Sequence, residues 1–292
     1  MFNPQTKFLQ TTDGEGVPTP TAALSELMAA MGLAECASFQ DAAKAIDAAG
    51  WSRMALLGRT EKETLQLRRN DIADALGDLL LLMPHTMPPS VCLEATHALI
   101  PGAGYQQMRK RIASGVDAAN RNCFPKLTTI SGLAATQRKP VAGEVDDLSL
   151  SLGIRFDDCT IDQGDGNYLV KEGHVLHVLL EEAARQSHVV FDASRQIITT
   201  NDVPPEALAG RPTNLSTLFA WQHRMATSGC LPEKAVIWSV CPYGIRFWIE
   251  AVLHVPQVQW GVCQAFDPDW QVAGALSEVG KIVYTINQTL SK

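Results

Sequence analysis

His174, His177 and Glu181 recur at spacings of three and four residues, which on a helix lines two imidazoles and a carboxylate along one face, as a divalent metal would require. No further ligands lie nearby in the sequence, so the three read as exposed helix positions and no metal site is assigned. Asp162, Asp165 and Asn167 offer oxygen ligands, but Gly164 and Gly166 stand where a calcium loop would need more of them, and the segment reads as a turn. Pro101-Gly102-Ala103-Gly104 lacks the Gly-Lys-Ser/Thr that follows in a phosphate-cradling loop. No nucleophile elbow, zinc-protease helix or kinase signature occurs, and no catalytic residue is assigned. Arg109-Lys110-Arg111 is the basic cluster of the chain. With Ser114, Asn120 and Asn122 it could form a DNA-recognition helix; a solvated helix face would look the same.

Charge limits those options. The chain of 292 residues has a formal net charge of −7. Residues 1–140 carry 14 Lys and Arg against 13 Asp and Glu, and residues 141–292 carry 10 against 18. Phosphate binding needs concentrated cations, so any nucleic-acid contact belongs to the first half. Seven cysteines (Cys36, Cys92, Cys123, Cys159, Cys230, Cys241 and Cys263) include no Cys-x-x-Cys pair, which fits free thiols in a reducing cytoplasm. The N-terminus has no apolar core of a secretory signal, and no apolar run approaches membrane-spanning length, so no membrane association is expected.

The elements that would position these residues divide at the middle of the chain. Residues 1–20 read as a disordered lead-in and 21–125 as a helical domain. Within it, Ala22–Met31, a helix capped by Ser38, and Thr60–Met83 with a Thr60-x-x-Glu63 capping box show helical periodicity. Ser90–Leu99 and Tyr105–Asn120 complete the set. Residues 126–172 read as a linker with a β-hairpin: Leu148–Phe156 alternates like a strand, and Asp165-Gly166 suits a tight turn before Tyr168–Val170. A helix over Glu172–Gln186 follows. Strands are expected at Val189–Asp192, Gln196–Thr200, Lys234–Val240, Ile245–Val255 and Trp260–Phe266, with a helix over Leu215–Thr227. Residues 271–292 form a C-terminal helix.

The order of these pieces from Gly173 onwards resembles a PAS domain. Val190-Phe191-Asp192, then Gln196-Ile197-Ile198 and Asn201, and Ala207-Leu208-Ala209-Gly210, are similar to the family's opening hairpin and short helices. Tyr243-Gly244-Ile245-Arg246-Phe247-Trp248-Ile249-Glu250-Ala251 resembles its middle hairpin, and Gly261-Val262-Cys263 through Asp267 its closing strand. The resemblance covers about a third of the chain, residues 173–270, and a related sensor fold such as GAF would satisfy the same pattern. It implies an α+β protein: a mainly helical N-terminal domain followed by a PAS-like domain with a five-stranded antiparallel sheet.

That fold implies a cytoplasmic signal-sensing or regulatory protein that binds a small molecule, dimerises with a second copy, or both. Phe219, His223, Trp238, Phe247 and Trp260 are the residues placed to line or fill its pocket. His223 falls near where haem-binding members carry an axial histidine, which makes haem a conceivable cofactor, though not the favoured one. The alternative is a transcriptional regulator whose helical half contacts DNA through Arg109, Lys110 and Arg111.

Overall fold

The computed structural model describes residues 3–10, 16–151, 155–186, 194–199, 202 and 214–291. In chain order it begins with a 3-10 turn at Pro4–Lys7, β1 (Leu9–Gln10), β2 (Thr19–Pro20), α1 (Ala22–Ala30) and α2 (Phe39–Ala48). A second 3-10 turn, Trp51–Leu56, precedes α3 (Arg59–Gln66) and α4 (Arg69–Asp78). Then come β3 (His85–Met87), α5 (Pro89–Cys92), β4 (His97–Pro101), α6 (Tyr105–Asn120), β5 (Thr129–Ala134), α7 (Glu144–Leu150), α8 (Phe156–Cys159), β6 (Thr160–Gly164), β7 (Asn167–Val170) and α9 (Glu172–Gln186). The last elements are β8 (Ser194–Thr199), α10 (Asn214–Thr227), β9 (Lys234–Val240), α11 (Gly244–His254), β10 (Gln259–Ala265) and α12 (Val272–Leu290). No helix among the described residues is long and apolar enough to cross a membrane.

Two compact units emerge. The first comprises residues 1–84, 241–254 and 265–292; the second comprises 85–240 and 255–264. In the first, α12 is the organiser. Leu276, Val279, Ile282, Val283 and Ile286 recur at helical spacing and are all buried, each contributing at most about 1.5–3 kcal/mol relative to exposure. Gly280 lets this helix meet the chain at Trp51 and Ser52, since a Cβ there would fall 2.5 Å from the Ser52 amide nitrogen. Ser277 Oγ donates to Ser52 O at 3.0 Å in the same seam.

The second unit is built on a six-stranded sheet of order β3-β10-β9-β4-β5-β8. β4 runs parallel to β5 and β9, with Leu99 opposite both Ser131 and Ile237, and β5 runs parallel to β8. Backbone bonds Gln259 N to Glu233 O (2.8 Å) and Cys241 N to Ala265 O (2.9 Å) advance together, which makes β9 and β10 parallel as well. Only β3, with Met87 opposite Val262, is antiparallel. After the edge strand β3, the chain enters the middle at β4, moves outward through β5 to β8, and returns through α10 to β9 on the other side of β4. That reversal is a topological switch point of the doubly wound kind.

One face of the sheet is covered by α6 and α9, with Ile100, Met108, Ile112, Ile130, Leu176 and Trp238 in a common core. Gly115 makes this fit: a Cβ there would run into the Trp238 indole. On the other face Trp221 of α10 stands 5.5 Å from Trp260, and Gln196 of β8 donates to Ser131 Oγ at 2.8 Å.

This architecture overturns the five-stranded antiparallel sheet expected over 173–270. Ile245–Val255, expected as a strand, is helix α11. Ile245, Phe247, Trp248, Ile249 and Ala251 are all buried, so they satisfy alternation and helical spacing at once, and period cannot choose between them. Lys234–Val240 is a strand as expected, and the strand expected at Trp260–Phe266 lies one residue earlier, at Gln259–Ala265, but the two run parallel. Their crossover is the helix α11 and not the arm of a hairpin. The expected strand Val189–Asp192 and the Ala207–Gly210 turn lie outside the described residues.

Smaller differences share that cause. His97–Leu99, expected as the end of a helix over Ser90–Leu99, belongs to the central strand β4 (His97–Pro101), five consecutive buried residues with no visible period. Thr129–Ala134, in the presumed linker, is β5, where Gly132 leaves room for Ile197 and Leu176. Of the strand expected over Leu148–Phe156, Leu148 is buried in helix α7 with Leu150 exposed, Phe156 opens helix α8, and residues 152–154 lie outside the described residues. Thr60–Met83 is two helices, and the cap sits two residues early: Glu61 Oε2 accepts from Gly58 N at 2.7 Å. Residues 3–10 and 19–20, in the presumed lead-in, are ordered, with Phe8 fully buried.

Candidate functional site

The carboxyl ends of β4 and β5 lead into two loops, Pro101–Gly104 and Ala135–Gly143, and a buried charge network joins them. Its centre is Arg138. The guanidinium forks onto Glu144, Nη1 to Oε2 and Nη2 to Oε1, both at 2.6 Å, while Nε donates to Glu172 Oε1 at 2.7 Å. Nη2 also donates to Ala103 O at 2.7 Å, which ties the first loop to the second. The backbone beneath is fixed too, because Arg138 and Val170 exchange hydrogen bonds at 3.0 and 2.8 Å.

Each carboxylate is filled by a second donor. Glu144 accepts from Tyr105 N at 2.7 Å and from Val141 N at 2.9 Å. Tyr105 opens α6, and its N-cap residue is Gly104, which has no side chain to offer; Glu144 caps that helix from 39 residues away. Glu172, the first residue of α9, accepts from Ala135 N at 2.6 Å. Arg111, one turn into α6 and almost wholly buried, turns back onto the first loop and donates to Pro101 O (2.5 Å) and Gly102 O (3.0 Å).

The glycines are required by this closeness. A Cβ on Gly102 would meet the Glu172 carboxylate and lie 2.7 Å from Leu133 O, and one on Gly104 would lie 2.8 Å from a Val141 methyl. Burial alone would raise the Glu144 pKa, but the Arg138 guanidinium and the Val141 and Tyr105 amides outweigh it and hold the carboxyl below its usual range. At Glu172 burial wins over Arg138, the Ala135 amide and Arg111, and the pKa is raised. Burial opposes the charge on Arg138 as well, yet its two carboxylates push its pKa up. Two arginines and two glutamates thus cancel formally, and they lock two loops at the edge of a parallel sheet where doubly wound folds receive ligands.

The residues expected to bind a ligand are not brought together. Trp238 is buried against Gly115 and lies 6.0 Å from Phe124, on the α6 face. Trp260 is on the opposite face, its indole N–H donating to Val255 O at 2.9 Å. Phe219 is half-buried and His223 exposed, both on α10. Phe247 belongs to the first unit, with the Arg246 guanidinium 4.4 Å from its ring centre. The basic cluster divides: Arg109 is exposed, Lys110 half-buried and Arg111 turned inward. His174 and His177 are exposed on α9, Glu181 pairs with Arg195 at 3.2 Å, and no cluster of three metal-ligating side chains occurs among the described residues.

Arg138, Glu144 and Glu172 were missed because they lie 6 and 28 residues apart in stretches read as linker and helix start. The signal the sequence does carry here is Pro101-Gly102-Ala103-Gly104, whose glycines mark a close approach of side chains and not a phosphate-cradling loop. Compared with known proteins, the chain matches no protein-family model, no curated protein and no solved structure.

Proposed function

We propose that the chain is a regulatory or signal-sensing protein that binds a small metabolite at the carboxyl edge of its parallel sheet, over the Pro101–Gly104 loop. The observation that carries this reading is the Arg138 fork. A network of four buried charges holds two loops rigid at the switch point beside β4, and pre-organised loops cost less to order when a ligand arrives. Binding is favoured over proton-transfer chemistry because every oxygen of Glu144 and Glu172 already accepts from a guanidinium or a backbone amide. The free thiols, several buried, suit a reducing cytoplasm.

The test is a thermal-shift panel of nucleotides, nucleosides and sugar phosphates on the purified chain, with hits mapped by amide NMR. The expected result is a saturable hit whose shifts centre on Gly102, Ala103, Gly104 and Ala135, and which is lost in Arg138→Met. Shifts centred elsewhere, or no hit together with no metabolite retained in native mass spectrometry, overturn the reading.

A further inference from the structure

A second feature of the parallel-sheet unit lies away from that edge, in the cleft between α6 and α9. There the two helices leave a hollow of about 310 Å³, at the small end of ligand-site volumes, which run from about 300 Å³ upward. Ala113 of α6 and Ala183 of α9 face it with little more than a methyl each, and Val116 and Leu179 supply apolar wall. Hollows of this kind are normally filled by the side chains of the helices themselves; two alanines keep this one open.

Its rim is charged in a particular way. Arg109 and Glu182 both line it, and neither side chain forms an ion pair or hydrogen bond among the described residues. Asp117, the other acid at the rim, is already engaged by Arg121 at 3.0 Å. So one unspent cation and one unspent, half-buried carboxylate stand around an apolar floor. A ligand that matches all three carries its own carboxylate, its own ammonium and a short aliphatic body. We propose that this hollow is a binding site for a free aliphatic amino acid: carboxylate to the Arg109 guanidinium, ammonium to Glu182, side chain against Val116 and Leu179. Arginine suits the first role because its planar fork matches a carboxylate.

The probe is L-leucine, titrated into the full-length chain to roughly 10 mM, ten times a weak dissociation constant of about 1 mM. Expected are saturable amide shifts at Ala113, Val116, Leu179 and Ala183, with the Gly102–Gly104 amides unmoved, so this outcome is distinct from that of the edge site. Arg109→Met and Glu182→Gln each weaken binding about tenfold or more, as loss of one charge-assisted hydrogen bond predicts. Both positions are at the surface, and unchanged circular dichroism of the variants establishes that they fold. 4-Methylpentanoate, which keeps the carboxylate and side chain but lacks the amine, binds about tenfold more weakly. Absence of any saturable shift overturns the proposal, and so does equal binding of leucine and its deaminated analogue.

Discussion

Each unit of this protein buries an arginine against two glutamates, and the two solutions differ. In the parallel-sheet unit, Arg138 meets Glu144 and Glu172 with donor facing acceptor at 2.6–2.7 Å, and backbone amides complete both carboxylates. In the other unit, Arg246 of α11 lies 3.6 Å from Glu250 and 3.1 Å from Glu278 of α12. The angles are poor there: Arg246 Nε and Glu278 Oε2 form no hydrogen bond, and Lys281 serves the remaining Glu278 oxygen at 2.7 Å. Burial, assisted by the nearby Glu278, raises the Glu250 pKa despite Arg246. The contrast teaches that proximity of opposite charges and satisfaction of their hydrogen bonds are separate quantities. Removing an ion from water costs several kcal/mol, and only the first network returns it in directed bonds.

The largest expected effect is at Arg138. Arg138→Met strands two buried carboxylates and should cost on the order of 3–5 kcal/mol in urea unfolding. Arg246→Met should cost only about 1–2 kcal/mol, because Lys281 still holds Glu278 and Glu250 can take up a proton. Equal losses at the two positions would break the contrast. Next comes Glu144→Gln, which keeps shape but loses the fork and half the helix cap, at a cost of about 2 kcal/mol at neutral pH.

Acid sharpens the same point. The folded pKa of Glu144 lies below its unfolded value, so its contribution is present above the ordinary carboxylate range and is lost as pH falls through the folded pKa. Glu172 and Glu250, raised in the fold, have the opposite sign: they favour the folded state as they protonate, and that gain is lost as pH rises through their folded values. Stability measured from neutral pH down to pH values below the carboxylate range should therefore fall less steeply in Glu144→Gln than in the parent. The smallest effect is at Glu250→Gln, within about 1 kcal/mol of the parent at neutral pH, since the amide keeps the shape and removes a charge that burial disfavours.

How far the sequence reached follows from what each signal depends on. Amphipathic elements with one wet face are readable: α6 lies at Tyr105–Asn120, α9 at Glu172–Gln186 and β7 at Asn167–Val170, all close to expectation, whereas the partner strand β6 lies at Thr160–Gly164 and not at Leu148–Phe156. Elements buried on every side are not. β4 is buried along its whole length, and in α11 Arg246 and Glu250 are half-buried among apolar residues, so neither period nor polarity distinguishes strand from helix; read as a strand, Ile245–Val255 implies an antiparallel hairpin in place of a parallel crossover. The charged site was opaque for another reason. Glu144 caps a helix that starts 39 residues earlier, and Arg138 acquires its role only when the two loops meet the starts of α7 and α9. Local spacing cannot encode such a meeting, whereas Gly102 and Gly104 were visible as glycines before their crowded surroundings were known.

The way the first unit is assembled has a consequence for how the protein is made. Its helices α1–α4 emerge well before the helix that fills their centre, α12, whose Gly280 must reach back to Trp51. The parallel-sheet unit, whose last strand is β10, has all its parts some thirty residues sooner. The early helices of this unit therefore wait for α12, and Leu24, Leu27, Ile46 and Trp51 must be shielded from misplaced partners until it emerges.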